Sequence, residues 1–112
     1  NKEIIKKLEN FSIQFQKKIN SFLINEKIDA QVYRFQTMLR IVFSKKSIKD
    51  RISRDFFEKK NIKKIDNFKL YLMKKGIIYP NNGIIFFSDA NTIQNLNYII
   101  KNISIGLKKF FK

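Results

Sequence analysis

Apolar residues recur at steps of three and four along the first quarter of the chain: Ile4, Ile5, Leu8, Phe11, Phe15, Ile19, Phe22 and Leu23. That spacing predicts one long helix over residues 2–27 with a single oily stripe. Lys6, Lys7, Glu9, Lys17 and Lys18 fall mostly off the stripe, as on a surface helix laid over a core. The period then changes. Val32, Tyr33 and Phe35 predict a strand over 31–35, and Met38, Leu39, Ile41, Val42 and Phe43 a second over 37–43. A bulge or a tight bend separates the two, or the whole stretch is one long bent strand, which pattern alone does not distinguish.

The stretch 44–64 is rich in lysine, and Phe56 and Phe57 anchor a predicted short helix over 50–59. A further helix over 65–75 has Asp66 as N-cap or first-turn acid, with Phe68, Tyr71 and Leu72 inward. Lys74 and Lys75 followed by Gly76 form a stop signal, because Gly accepts the left-handed position after a helix. Ile77–Tyr79 reads as a short strand and Pro80–Gly83 as a turn, in which Asn82-Gly83 favours positive φ. Ile84, Ile85, Phe86 and Phe87 are apolar on both faces and predict a central or covered strand. Thr92 is placed to cap the last helix, with Asn95 at the third position and no reciprocal acid. Its inner stripe is Ile93, Leu96, Ile99, Ile100, Ile103, Leu107 and Phe110.

Long helices at both ends and short strands between them predict an α+β fold in two layers. A small, mostly antiparallel sheet is covered on one face by helices. At 112 residues and 44% hydrophobic content, the whole chain is one domain with one core.

Composition then limits the chemistry. Cysteine and histidine are absent, which excludes disulfides, the usual zinc sites and a histidine base. No glycine-rich phosphate loop is present, and no carboxylate pair stands out: Asp55 and Glu58 read as solvated surface. No active site is visible. No run reaches the roughly 18 apolar residues of a membrane span, and the lack of an apolar leader favours the cytoplasm. The net charge is +15, with 20 of the 24 basic residues lysine, beside 20 isoleucines and 12 asparagines. That skew points to genome-wide compositional drift as much as to an anionic partner. The charge is also spread along the chain, which weighs against nucleic acid as the partner. A small basic nucleic-acid-binding or protein-interaction domain is therefore the alternative function. The first residue is Asn, not Met, so a piece of something longer is expected.

The stretch FKLYLMKKGIIYPNNGIIFFSDANT resembles the C-terminal small domain of class III, fold-type I aminotransferases that use pyridoxal phosphate. It is nearest the glutamate-1-semialdehyde aminomutase branch. Gly76, Pro80, Phe86, Ser88, Ala90 and Thr92 fit that pattern. Upstream, YRFQTMLRIVFSKKSIKD resembles the family segment reading roughly Arg-x-Gly-Ser-Met-Phe, with Arg34 and Met38 in place and Gln36 and Thr37 replacing Gly and Ser. Asn91 stands where the family usually has His. Asn81, Asn82 and Gly83 occupy a loop that carries a Ser and a Glu in the mutases. The resemblance implies a cleft-closing domain that is not catalytic on its own. Its partner would be the large pyridoxal-phosphate-binding domain of the same protein, and the parent would be a homodimer. The cofactor lysine and phosphate loop belong to that large domain, so no cofactor is assigned to this chain. The implied cleft-side residues are Arg34, Thr37 and Met38 together with Asn81, Asn82 and Gly83.

Overall fold

A computed structural model describes residues 1–43, 59 and 61–112. Apart from Lys59, the short helix expected over 50–59 lies outside the described residues. The elements are α1 (Lys2–Asn25), β1 (Gln31–Phe35), β2 (Met38–Val42), α2 (Ile62–Lys74), β3 (Ile84–Ile85) and α3 (Ile93–Phe111). The architecture is the expected α+β domain with long helices at both ends.

α1 begins where the Asn1 side chain accepts hydrogen bonds from the backbone N–H groups of Glu3 and Ile4. Its stripe turns Phe11, Phe15, Ile19 and Leu23 into the core, one every four residues. Each such side chain contributes about 1.5–3 kcal/mol on burial. Its end is a Schellman motif: Ile28 N–H donates to Leu23 O and Lys27 N–H to Ile24 O, with Lys27 left-handed at φ 56. α2 ends in the same way. Ile77 N–H donates to Leu72 O and Gly76 N–H to Met73 O, with Gly76 at φ 79. The stop signal expected at Gly76 is therefore present in full. α2 starts three residues before the expected boundary, at Ile62 after Asn61. Asp66 thus sits inside the helix and not at its cap.

β1, β2 and β3 form an antiparallel sheet in that order. Phe35 pairs with Met38, so the predicted break is a two-residue turn at Gln36 and Thr37, with Gln36 at φ 55. The register places Val32 opposite Ile41 and Arg34 opposite Leu39 on the inner face. Val32, Leu39 and Ile41 are buried against the helical layer. Tyr33, Phe35, Met38, Arg40 and Ile84 alternate onto the outer face.

β3 pairs over only two residues, Leu39 with Ile85 and Arg40 with Ile84. The expected strand over 84–87 is thus shortened, and Ile77–Tyr79 forms no strand. Phe86 and Phe87 part company. Phe87 is buried edge-on against Phe11 and Phe15, with ring centroids 5.9 and 5.8 Å away. Phe86 is 60% exposed. A second aromatic group joins Phe43, Phe68, Tyr79 and Phe111. α3 starts at a capping box that the sequence did not promise: Asn95 N–H donates to Thr92 Oγ1, and Asn95 Oδ1 accepts from Thr92 N–H. An asparagine carbonyl does here what the glutamate of the usual box does. Leu96, Ile103 and Leu107 are buried as expected, whereas Ile93 is exposed.

Candidate cleft-facing surface

The cleft-side residues implied by sequence fall on two turns. At the hairpin tip, Arg34 Nε donates to Gln16 Oε1 at 3.3 Å and its Nη1 to Gln36 O at 2.8 Å. The guanidinium of Arg34 is thereby engaged within the domain, binding the tip to α1. Thr37 contributes its backbone: Ser12 Oγ lies 3.3 Å from Thr37 O and donates chiefly to Leu8 O at 2.8 Å. Met38 stands on the outer face of the sheet beside Phe35 and is exposed.

The second turn is built by Pro80, whose carbonyl accepts from Gly83 N–H at 3.0 Å. Gly83 takes φ 75, a left-handed geometry that glycine adopts without strain, whereas Asn82 stays at negative φ. Asn82 Oδ1 accepts from Ile84 N–H at 2.9 Å and sets the entry into β3. The Asn82 carbonyl oxygen accepts from Arg40 Nη1.

Arg40 is the residue that joins the two segments. It lies in the middle of β2 on the outer face, and its guanidinium packs 3.5 Å from where a Cβ on Gly83 would stand. A cleft of about 270 Å³ on the outer face is lined by Tyr33, Phe35, Met38, Arg40 and Ile84, with Arg34 and Leu39. A second, of about 310 Å³, holds Arg40 with Asn81, Gly83, Asp66, Lys69 and Tyr79. Arg40 thus borders both. Its sequence signal was a single charge inside the apolar run Met38-Leu39-Arg40-Ile41-Val42, at a position whose period-two phase is outward. The structure gathers Met38, Asn81, Asn82 and Gly83 around Arg40. Arg34 and Thr37 remain at the hairpin tip against α1.

Among the described residues no group of three or more acidic side chains could hold a metal ion. Every described lysine is exposed or half-buried, so no buried amine stands ready to hold pyridoxal phosphate as a Schiff base. The described residues do not fit that cofactor by themselves.

Comparison with solved structures gives the surface its context. Glutamate-1-semialdehyde aminomutase from Pseudomonas aeruginosa PAO1 superposes with a TM-score of 0.86 over 99% of this chain, at 11% identity. A variant of that enzyme in complex with PMP gives the same TM-score at 12% identity. A β-phenylalanine aminotransferase from Variovorax paradoxus matches 92% of this chain with a TM-score of 0.79, at 12% identity. The fold is similar to that of the C-terminal portion of these pyridoxal-phosphate aminotransferases and aminomutases. The chain spans about a quarter of the length of these neighbours, 24% for the aminomutase and 23% for the aminotransferase. No protein-family model and no curated protein matches its sequence. No helix among the described residues is long and apolar enough to cross a membrane.

Proposed function

We propose that this chain is the C-terminal small domain of a pyridoxal-phosphate-dependent aminotransferase-like or aminomutase-like enzyme. It closes one side of the substrate cleft and carries no catalytic group of its own. The observation that supports this most is the superposition over 99% of the chain on a segment making up 24% of an aminomutase. The outer sheet face agrees with it: among the described residues there, Phe35 is 70% exposed and Met38 stands beside it, also exposed. A free domain gains nothing by presenting such side chains to water, whereas a docked one buries them.

In this proposal the outer face of the sheet packs on the large domain of the same protein, within a homodimer located in the cytoplasm. Phe35, Met38 and Ile84 exclude water from the seam. Arg40 holds the Asn81–Gly83 turn in place at the rim, so that turn presents its asparagines to the substrate side. Arg34 and Thr37 stiffen the hairpin tip through α1. The cofactor, held by the large domain, supplies the electron sink for chemistry at the amine-bearing carbon. With Asn81, Asn82 and Gly83 at this rim, amino-group transfer and mutase activity are both open to the parent enzyme.

The test uses the natural full-length protein that contains these residues. It should purify with bound pyridoxal phosphate, and borohydride reduction should fix the cofactor to a lysine outside the present 112 residues. Aminotransfer should then be detected with a panel of amino donors and keto acids. A natural product that begins at Asn1 and binds no cofactor would overturn the proposal, as would a cofactor–lysine adduct mapped inside this chain.

A further inference from the structure

Of the 12 asparagines, Asn82 alone is followed by glycine. That pairing carries a chemistry of its own. A backbone nitrogen can attack the side-chain amide of the residue before it, and glycine, with no Cβ, obstructs the approach least. The attack joins Gly83 N to Asn82 Cγ and breaks the Cγ–Nδ2 bond. Hydroxide takes the proton of the Gly83 N–H, the amide nitrogen takes one from water, and ammonia leaves. A five-membered imide remains, and water opens it at either carbonyl. One opening gives aspartate. The other gives isoaspartate, in which the backbone runs through the former side chain and gains a methylene. Water is the sole co-reactant.

The fold ties down three of the groups that this reaction uses. Gly83 N–H, which must lose its proton, donates to Pro80 O at 3.0 Å. Asn82 Oδ1, on the carbon attacked, accepts from Ile84 N–H at 2.9 Å. Asn82 O accepts from Arg40 Nη1. Gly83 is buried, with Arg40 Cζ and the Tyr79 hydroxyl oxygen each 3.5 Å from where its Cβ would stand, whereas Asn82 is exposed. The leaving amide therefore meets water and the nucleophile does not. Attack waits for the turn to open, and its rate is that of the open turn scaled by the open fraction.

We propose that Asn82 is a site of spontaneous deamidation gated by the Pro80–Gly83 turn, with Arg40 as the latch. While the turn is closed, Asn82 persists. Once it opens and the imide forms, the change is one-way. In isoaspartate the very carbonyl that Arg40 holds becomes the carboxylate, and the lengthened backbone enters β3 where Ile84 pairs with Arg40. The inference concerns the covalent chemistry of this turn and stands whatever enzyme the parent is.

The test incubates the 112-residue chain in mildly alkaline buffer, folded and in guanidinium chloride. Peptide mapping follows the gain of about 1 Da at Asn82 and at Asn20, which precedes serine. Unfolded, Asn82 should convert at least about tenfold faster than Asn20. Folded, it should convert at least about tenfold more slowly than in the unfolded chain. Arg40→Gln should raise the folded rate at Asn82 about fivefold or more and leave the unfolded rate unchanged. If that variant does not fold, Pro80→Ala, which releases φ at the start of the turn, takes its place with the same expectation. Equal rates at Asn82 in the folded and unfolded natural chain overturn the gate. An unfolded Asn82 no faster than Asn20 overturns the site, and an unchanged folded rate in Arg40→Gln overturns the latch.

Discussion

Two positions of positive φ and one glycine carry most of the residue-scale lessons. Gly106 lies in the middle of α3, where glycine costs about 1 kcal/mol relative to alanine. A Cβ there would stand 2.8 Å from Phe68 Cε1 and 3.2 Å from Tyr71 Cδ2, both on α2. Gly106 is what lets these two helices approach. Gly106→Ala is expected to lower stability by about 1–3 kcal/mol despite its better helix propensity. Thermal unfolding measures this, and an unchanged or raised midpoint would show that the helices have room. Lys27 and Gln36 present the converse case, with left-handed backbones bearing ordinary side chains. Lys27→Gly and Gln36→Gly should each stabilise the fold by about 0.5–1 kcal/mol, as strain relief outweighs the added freedom of the unfolded chain. Denaturant midpoints that fall for both variants would contradict this. The need for Gly at 76 was readable because two lysines mark the helix end beside it. Gly106 gave no such sign, since its requirement comes from a ring on another helix.

At the scale of elements, the edge strand and the helix ends depend on partners distant in sequence. β1 lies at a sheet edge, where backbone groups go unpaired. Asn20, on α1, meets the need: its Oδ1 accepts from Val32 N–H at 2.7 Å, and its Nδ2 donates to Val32 O at 3.1 Å. Gln16 donates to the same carbonyl. Asn20→Ala should therefore cost about 1–3 kcal/mol, the penalty of leaving buried backbone groups unmet. Hydrogen exchange at Val32 should accelerate with it, and an unaffected Val32 amide would count against the role. The end of α1 is joined to the end of α3 by Glu26, which accepts from Lys112 at 2.7 Å and pairs with Lys108 at 3.2 Å. The hydrogen bonds from Lys112 and Lys108 hold the Glu26 carboxyl below its ordinary pKa. The sign follows directly: the link is fully present above the ordinary glutamate range and is lost as pH falls through the depressed folded value. Glu26→Gln should flatten the acid limb of the stability–pH curve, more clearly at low salt than at high. An identical acid limb in the variant would show that the link contributes nothing.

For the molecule as a whole, the feature with most consequence is the difference between the two faces of the sheet. Val32, Leu39 and Ile41 are buried beneath the helical layer, whereas Phe35 and Met38 on the opposite face meet water. Replacing both outer residues, Phe35→Lys with Met38→Glu so that opposite charges face each other across the pair, should leave the unfolding free energy of this chain within about 0.5 kcal/mol of the original. In the parent enzyme proposed above, the same pair should abolish productive packing on its large domain. A large loss of stability in the isolated chain would instead make these residues part of its own core. By itself, the sequence determined the three long helices, their apolar stripes and the strand-forming segments at 31–35 and 38–42. All of these follow from periodicity and residue type, which are local. It also carried the family resemblance through short motifs around Gly76, Pro80 and Thr92. Tertiary structure alone decided that Arg40, and not Arg34, gathers the turn at Asn82. It decided that Phe86 and Phe87 separate and that Gly106 is a contact between helices. Each of those depends on which distant side chain fills the space nearby, and linear spacing does not encode that.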